Sequence, residues 1–216
     1  MDSRKFGVAG LNEQELKLLQ SIICFKERIG KMNGLNTKLG RGLAAMTALA
    51  LLASSPATAK FETPEAKAEA GAAAYMARID MEQVFGPKRL KPGQYVWRKG
   101  SFEGDPRVVI GLSDQLAYLY RGEDLVAVAA ISTGTDDHPT PQGIFEVRLK
   151  KPMHRSVKYE NAPMPFTQMF DQYGTALHAG HNPGYPASHG CVRLPSEFAK
   201  RLYGVTSVGA TVIIGS

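Results

Sequence analysis

Between His178 and Cys191 the chain places three of its five histidines and one of its two cysteines. The segment 177–195 reads LHAGHNPGYPASHGCVRLP. Thiol chemistry at neutral pH runs through thiolate, and an unassisted cysteine with a pKa of about 8.5 supplies a few per cent of it. A histidine in hydrogen-bond reach takes the proton and stabilises the resulting ion pair. Gly190 lets the backbone approach a substrate closely, and the successive N–H groups of Gly190 and Cys191 can face a developing oxyanion. Cys191 therefore reads as a nucleophile, with His178 or the adjacent His189 as its base. The same segment offers zinc donors in His178, His181, His189 and Cys191, but structural zinc sites pair cysteines at close spacing, and no such pair exists here. A glycine beside the thiol fits an oxyanion site better, so no metal and no other cofactor is expected. A papain-like protease is disfavoured because its local cysteine signature is missing. His138 and His154 read as turn or loop residues, and Arg193 as either a salt-bridge partner or a ligand for a substrate carboxylate.

The elements around this segment must hold it in place. From Lys91 onward the texture is β: Val108–Ile110, Leu116–Arg121 and Leu125–Ile131 are strand-like runs separated by Gly/Asp turns. Gly143–Leu149 alternates apolar and polar as one half-buried strand. Residues 151–173 hold prolines and aromatics without periodicity and read as a long loop or lid, with Met164, Phe166 and Tyr173 available to a substrate groove. Thr175–Ala179 is a short strand carrying His178. Pro195–Tyr203 reads as a helix stopped by Gly204, and Thr211–Ile214 as a closing strand. Upstream, Thr63-Pro64-Glu65 has the form of an N-cap with proline at the first helical position, so residues 60–92 are expected to be an Ala-rich helical spacer. Residues 93–216 then form one mainly β domain.

The remaining N-terminal residues carry a targeting pattern. Lys38 and Arg41 precede the apolar run Leu43–Ala53, Ser54-Ser55-Pro56 breaks it, and Ala57-Thr58-Ala59 has the small-x-small form of a cleavage site. The run is shorter than the roughly 20 residues a membrane-spanning helix needs, so export with cleavage after Ala59 is expected, without a permanent membrane anchor. Residues 32–59 are the expected signal peptide. Met32 is the better start for it, which makes residues 1–31 an expected extension from an upstream start codon.

Charge and cysteines change meaning once this segment is set apart. The chain carries +6, but residues 1–59 hold 8 of the 26 Lys/Arg and 4 of the 20 Asp/Glu. Residues 60–216 are left with 18 against 16, which removes the main argument for nucleic-acid binding. Cys24 lies upstream of the cleavage site, so Cys191 is the single thiol of the expected exported protein. Exported proteins normally pair their cysteines, and an unpaired one is either inert and buried or reactive.

Ser-His-Gly-Cys-Val-Arg at 188–193, preceded by a strand-borne His178, resembles the signature of L,D-transpeptidase catalytic domains, the YkuD family. The upstream run Leu116–Arg121, Leu125–Thr133 and Gly134–Phe145 (GTDDHPTPQGIF) is similar to that family as well, and the likeness covers roughly 106–215. The resemblance implies a β-sandwich or barrel-like catalytic domain with a short helix after the cysteine loop. It implies Cys191 as nucleophile, and His178 as base with its imidazole oriented by a backbone carbonyl. It also implies Gly190 and Cys191 N–H groups as oxyanion hole, and Ser188, His189 and Arg193 as supporting or substrate-binding positions. The stretch from His178 to Ser188 is shorter than the family's common spacing, so the loop crossing the site must be tighter. The implied activity acts on peptidoglycan stem peptides in the periplasm. Cys191 forms a thioester on the diaminopimelate carbonyl with loss of D-alanine and passes it to an amine, for cross-linking or for anchoring an envelope protein. The alternatives are a hydrolase, that is an L,D-carboxypeptidase, and a non-catalytic peptidoglycan-binding module. A carbapenem is expected to acylate Cys191.

Overall fold

The computed structural model describes residues 62–216. The expected extension, signal peptide and cleavage site, and Cys24 with them, lie outside these residues. The first described element is helix α1, Pro64–Phe85, whose N-cap Thr63 accepts the Ala66 N–H at 3.2 Å and whose C-cap is Gly86. Strands β1 (Tyr95–Trp97), β2 (Pro106–Gly111), β3 (Leu116–Arg121), β4 (Asp124–Ala130) and β5 (Gly143–Glu146) follow. Then come β6 (Leu149–Arg155), β7 (Pro163–Met169), β8 (Ala176–Ala179), β9 (Val192–Leu194), helix α2 (Ser196–Val205) and β10 (Thr211–Gly215). Among the described residues no helix is long and apolar enough to cross a membrane.

Two mixed sheets carry the fold. The larger runs β1-β4-β3-β2-β10-β5 with β2 and β10 parallel, and the smaller runs β6-β7-β8-β9 with β8 and β9 parallel. The central strands of the larger sheet are buried on both faces, which is why Val108-Val109-Ile110 reads as a continuous apolar run rather than an alternation. Val108, Ile110, Ala117 and Leu119 point into the core shared with the smaller sheet and α2. Val109, Tyr118 and Tyr120 point the other way, under α1. Phe198 of α2 is fully buried and meets the rings of Tyr95 and Trp97 at 5.9 and 5.7 Å.

Helix α1 is a packed layer, not the spacer expected for residues 60–92. Ala66, Ala70, Ala74, Ala77 and Met81 recur at helical spacing and are buried, and Tyr120 of β3 donates its hydroxyl to Asp80 at 2.8 Å. Small alanines bring the helix close to the sheet, and they leave so little amphipathic contrast that the sequence hides the buried face.

Three further expectations are corrected. Gly143–Leu149 is not one strand: the chain leaves β5 at Val147-Arg148 and starts β6 in the other sheet. Residues 151–173 are not a structureless lid but mostly the β6–β7 hairpin, paired from Leu149↔Met169 to Arg155↔Pro163. Its prolines concealed it. Pro152 has no partner in the ladder, and β7 meets β8 only at Gln168 and Met169, so Pro163 and Pro165 remove no needed donor. Gly204, expected as the helix stop, lies inside α2, which ends at Thr206 with its N–H on Leu202 O.

Candidate active site

Strand β8 brings His178 to the surface of the smaller sheet. Leu177 and Ala179 alternate into the core, so Ala176 and His178 face the other way. The parallel register sets His178 opposite Arg193 and Leu177 opposite Val192. Cys191 stands one position before β9, next to Ala176 and on the His178–Arg193 face. Together they open onto a cavity of about 420 Å³ that His178, Cys191, Arg193, Ser188, His154 and Tyr159 help to line. That volume suits a small-molecule or peptide site.

His178 is 7% exposed, and its Nδ1 lies 2.9 Å from Ala179 O. The carbonyl only accepts, so Nδ1 carries the proton and Nε2 is left as the basic nitrogen. This is the carbonyl orientation that the resemblance implied.

Burial pushes the His178 pKa below its ordinary value; the Ala179 carbonyl opposes this, and the charges of Arg193 and His154 add to it. Burial likewise pushes the Cys191 thiol up, against the Ala176 N–H that stabilises thiolate, with Asp171 raising it and Arg193 lowering it. Burial thus works against the charged form of each group. The thiolate–imidazolium ion pair expected from the sequence is disfavoured, because desolvation penalises each charged form.

The cysteine loop is clamped by segments distant in sequence. Ser132 and Arg193 exchange backbone hydrogen bonds at 3.1 and 2.9 Å, Thr135 N–H reaches Ser188 O at 3.1 Å, and Ser188 N–H reaches Thr133 O at 3.0 Å. Thr140, buried in the Pro-Thr-Pro turn, accepts the Gly134 N–H at 2.9 Å and donates to Gly190 O at 2.8 Å. A Cβ on Gly134 would sit 2.1 Å from His138 O, so only glycine fits there. Gly190 has φ +107°, a region that L side chains rarely adopt.

Within the loop, Ser188 Oγ donates to Cys191 O at 2.5 Å and accepts the Gly190 N–H at 3.1 Å. The Gly190 N–H, expected to face an oxyanion, rests on Ser188 Oγ here, because the turn that presents the thiol also folds this amide back onto the serine. Ser188 is buried and positions the loop rather than meeting solvent.

His189 is exposed, stacked on Tyr159 at 4.4 Å and edge-on to His138 at 4.8 Å. Its ring bridges the cysteine loop to the hairpin tip and to the Pro-Thr-Pro turn. No side-chain ion pair holds Arg193 among the described residues; its stem packs on Gly180, where an added Cβ would come within 3.0 Å of it. Met164 and Tyr173 line the cavity, whereas Phe166 packs on Tyr203 at 6.0 Å. His181 is exposed at the cavity's edge. Among the described residues no group of three His, Cys, Asp or Glu is arranged to hold a metal.

Three residues escaped the sequence. His154, read as a loop residue, projects from β6 into the cavity, and Tyr159 reaches it from the hairpin tip. Asp171 accepts the N–H groups of Tyr173 and Thr175 at 2.9 and 2.8 Å and thereby holds a carboxylate near the thiol. The hairpin is needed to find the first two, and no local signal marks them. Asp171 did carry one, an aspartate two residues before a Tyr-Gly turn.

Residues 105–214 match the family described as YkuD, L,D-transpeptidase catalytic domain. Among solved structures, the chain is similar to an L,D-transpeptidase from Mycobacterium smegmatis at 19% identity and a TM-score of 0.48, covering 52% of this chain and 59% of that one. It is similar to an L,D-transpeptidase from Stackebrandtia nassauensis at 23% identity and TM-score 0.49, over 64% and 65% of the two chains. For L,D-transpeptidase 1 of Mycobacterium tuberculosis the values are 18%, 0.46, 52% and 62%. The chain thus spans about three-fifths of the length of these structures. No curated protein matches it.

Proposed function

The chain belongs to the YkuD family of L,D-transpeptidase catalytic domains, and from that membership we propose a cysteine-dependent acyl transfer on peptidoglycan stem peptides outside the cytoplasmic membrane. The observation that carries this reading is the pairing of β8 with β9. It sets Cys191 and His178 on one sheet face, in one cavity, with Nε2 as the only basic nitrogen of the anchored imidazole.

In the proposed reaction the Cys191 thiol attacks the diaminopimelate carbonyl of a tetrapeptide stem while Nε2 of His178 takes its proton. Burial of both groups suits this, since desolvation works against charge separation before a carbonyl is present to receive it. The Cys191 N–H stabilises the tetrahedral oxyanion, and a donor of this kind is worth about 3 kcal/mol. The Gly190 N–H joins it only by leaving Ser188 Oγ. The imidazolium then protonates the departing D-alanine, and a thioester remains on Cys191. An acceptor amine releases the acyl group, giving a cross-link or an anchored envelope protein, while water would give a trimmed stem. Arg193 supplies a guanidinium without an ion-pair partner among the described residues, suited to a substrate carboxylate.

The test is to incubate the protein with disaccharide-tetrapeptide and follow products and protein by mass spectrometry. The reading predicts an acyl-enzyme on Cys191 and a dimer lacking one D-alanine. Folded protein that forms no adduct on Cys191 overturns it, and tripeptide without dimer moves the assignment to the carboxypeptidase.

A further inference from the structure

The surroundings of Cys191 are sorted by charge along the smaller sheet. Strands β8 and β9 run side by side, from Ala176 and Cys191 at one end past His178 and Arg193 toward Gly180. Among the described residues the cavity lining includes Lys158, Arg193, His154 and His181 and no aspartate or glutamate. His154 is paired with Met164, at the end of β7 farther from the β7–β8 turn. This part of the cavity suits the carboxylates of a stem peptide.

The end nearer Cys191 carries the opposite charge. The β7–β8 turn closes there, with Phe170 N–H on Thr175 O at 3.0 Å, and Asp171 stands at its start. Asp171 Oδ1 accepts the N–H groups of Tyr173 and Thr175, while Oδ2 takes no hydrogen bond among the described residues. The turn abuts the cysteine loop: a Cβ added on Gly190 would lie 4.0 Å from the Thr175 methyl. Asp171 is half-buried, and its charge acts on the thiol, whose pKa it raises. The turn also borders a second cavity, of about 80 Å³, lined in part by Glu62, Asp171 and Arg148. Tyr173, 80% exposed, lines both cavities and so marks where they meet. Two carboxylates against one guanidinium attract a cation that approaches Cys191 from this end.

An acyl group on Cys191 is released by water or by an amine, and the two differ in charge, since an alkyl amine is cationic at neutral pH. We propose that Asp171 draws an ammonium-bearing acceptor to the thioester past the β7–β8 turn, and so selects amines over water. The proposal rests on the acyl transfer argued above and names the acceptor side of that site. The bound ammonium gives one proton to solvent, and its nitrogen attacks the thioester carbon. As the C–N bond forms, a second proton passes to Nε2 of His178, and from there to the Cys191 sulfur as the C–S bond breaks. Asp171 makes and breaks no bond in this step; it sets how much acceptor gathers at the site.

The experiment uses the full chain, acylated with disaccharide-tetrapeptide and offered two small nucleophiles together. Glycinamide carries an ammonium, and hydroxylamine is neutral at the same pH. Mass spectrometry gives the ratio of the two products from one acyl-enzyme, so any change in the thiol itself cancels. Asp171→Asn keeps an acceptor for both amides and should lower the glycinamide-to-hydroxylamine ratio about fivefold, the worth of a partly exposed charge pair. Asp171→Glu should restore most of it, and high salt should bring the wild-type ratio down toward that of Asp171→Asn. Three outcomes overturn the proposal and leave the acyl transfer standing: an equal ratio in Asp171→Asn, a wild-type ratio indifferent to salt, or an acyl-enzyme that hydroxylamine discharges and glycinamide does not. A folded wild type that forms no acyl-enzyme overturns the acyl transfer itself, and this proposal with it.

Discussion

Thr140 and Gly190, fifty positions apart, are joined by a 2.8 Å hydrogen bond from hydroxyl to carbonyl. The same oxygen takes the Gly134 N–H, so one buried side chain ties the Ser-Thr-Gly segment, the Pro-Thr-Pro turn and the cysteine loop together. Thr140→Val keeps the shape and removes both bonds. It should cost about 1–3 kcal/mol of stability in urea titration, because a buried N–H and C=O lose their partner. It should also slow acylation by up to about a hundredfold through misplacement of Cys191. Thr140→Ser should restore most of both.

The two candidate bases separate cleanly. His178→Gln removes the basic nitrogen proposed to serve Cys191 and should reduce its acylation by about 10³-fold or more. His189→Gln removes a ring stacked on Tyr159 and should stay within about tenfold of wild type. The measurement is the rate of adduct formation by mass spectrometry. The reverse order would make His189 the base.

Burial of both partners also sets the pH profile. Protonation of His178 blocks the base, and its pKa lies below the usual 6.5, so the acid limb of kcat/KM should fall below pH 6.5. The thiol lies above its usual 9.0, so the alkaline limb and free alkylation of Cys191 should rise only beyond pH 9. Arg193→Gln removes a charge that lowers both groups and should move both limbs upward.

Asp171→Asn keeps an acceptor for the Tyr173 and Thr175 amides but removes a charge that raises the Cys191 pKa. Iodoacetamide should then alkylate Cys191 faster at fixed pH, with the rate profile displaced to lower pH. An unchanged profile would mean that solvent screens the carboxylate from the thiol.

Phe198→Ala tests the core beneath the site. It should cost about 3–5 kcal/mol, since a fully buried aromatic leaves a cavity against Tyr95 and Trp97. Scanning calorimetry would show it as a lower Tm.

The residues of the candidate site were legible because the chemistry is local. Ser188, His189, Gly190, Cys191 and Arg193 are contiguous, and His178 sits on a strand short enough to read directly. Strands β2, β3, β4 and β10 were legible too, since burial on both faces leaves unbroken apolar runs bounded by turns. Tertiary structure alone decided what depends on a second segment. The packing of α1 needed the sheet beneath its alanines, and the β6–β7 hairpin needed a pairing that asks no N–H of its prolines. The Gly190 amide needed the geometry of its loop before Ser188 could claim it. The charge state of the reacting pair belongs here as well. Sequence supplies a thiol and an imidazole with ordinary pKa values, but desolvation is a property of the folded surroundings, and it pushes the Cys191 thiol up and the His178 imidazole down.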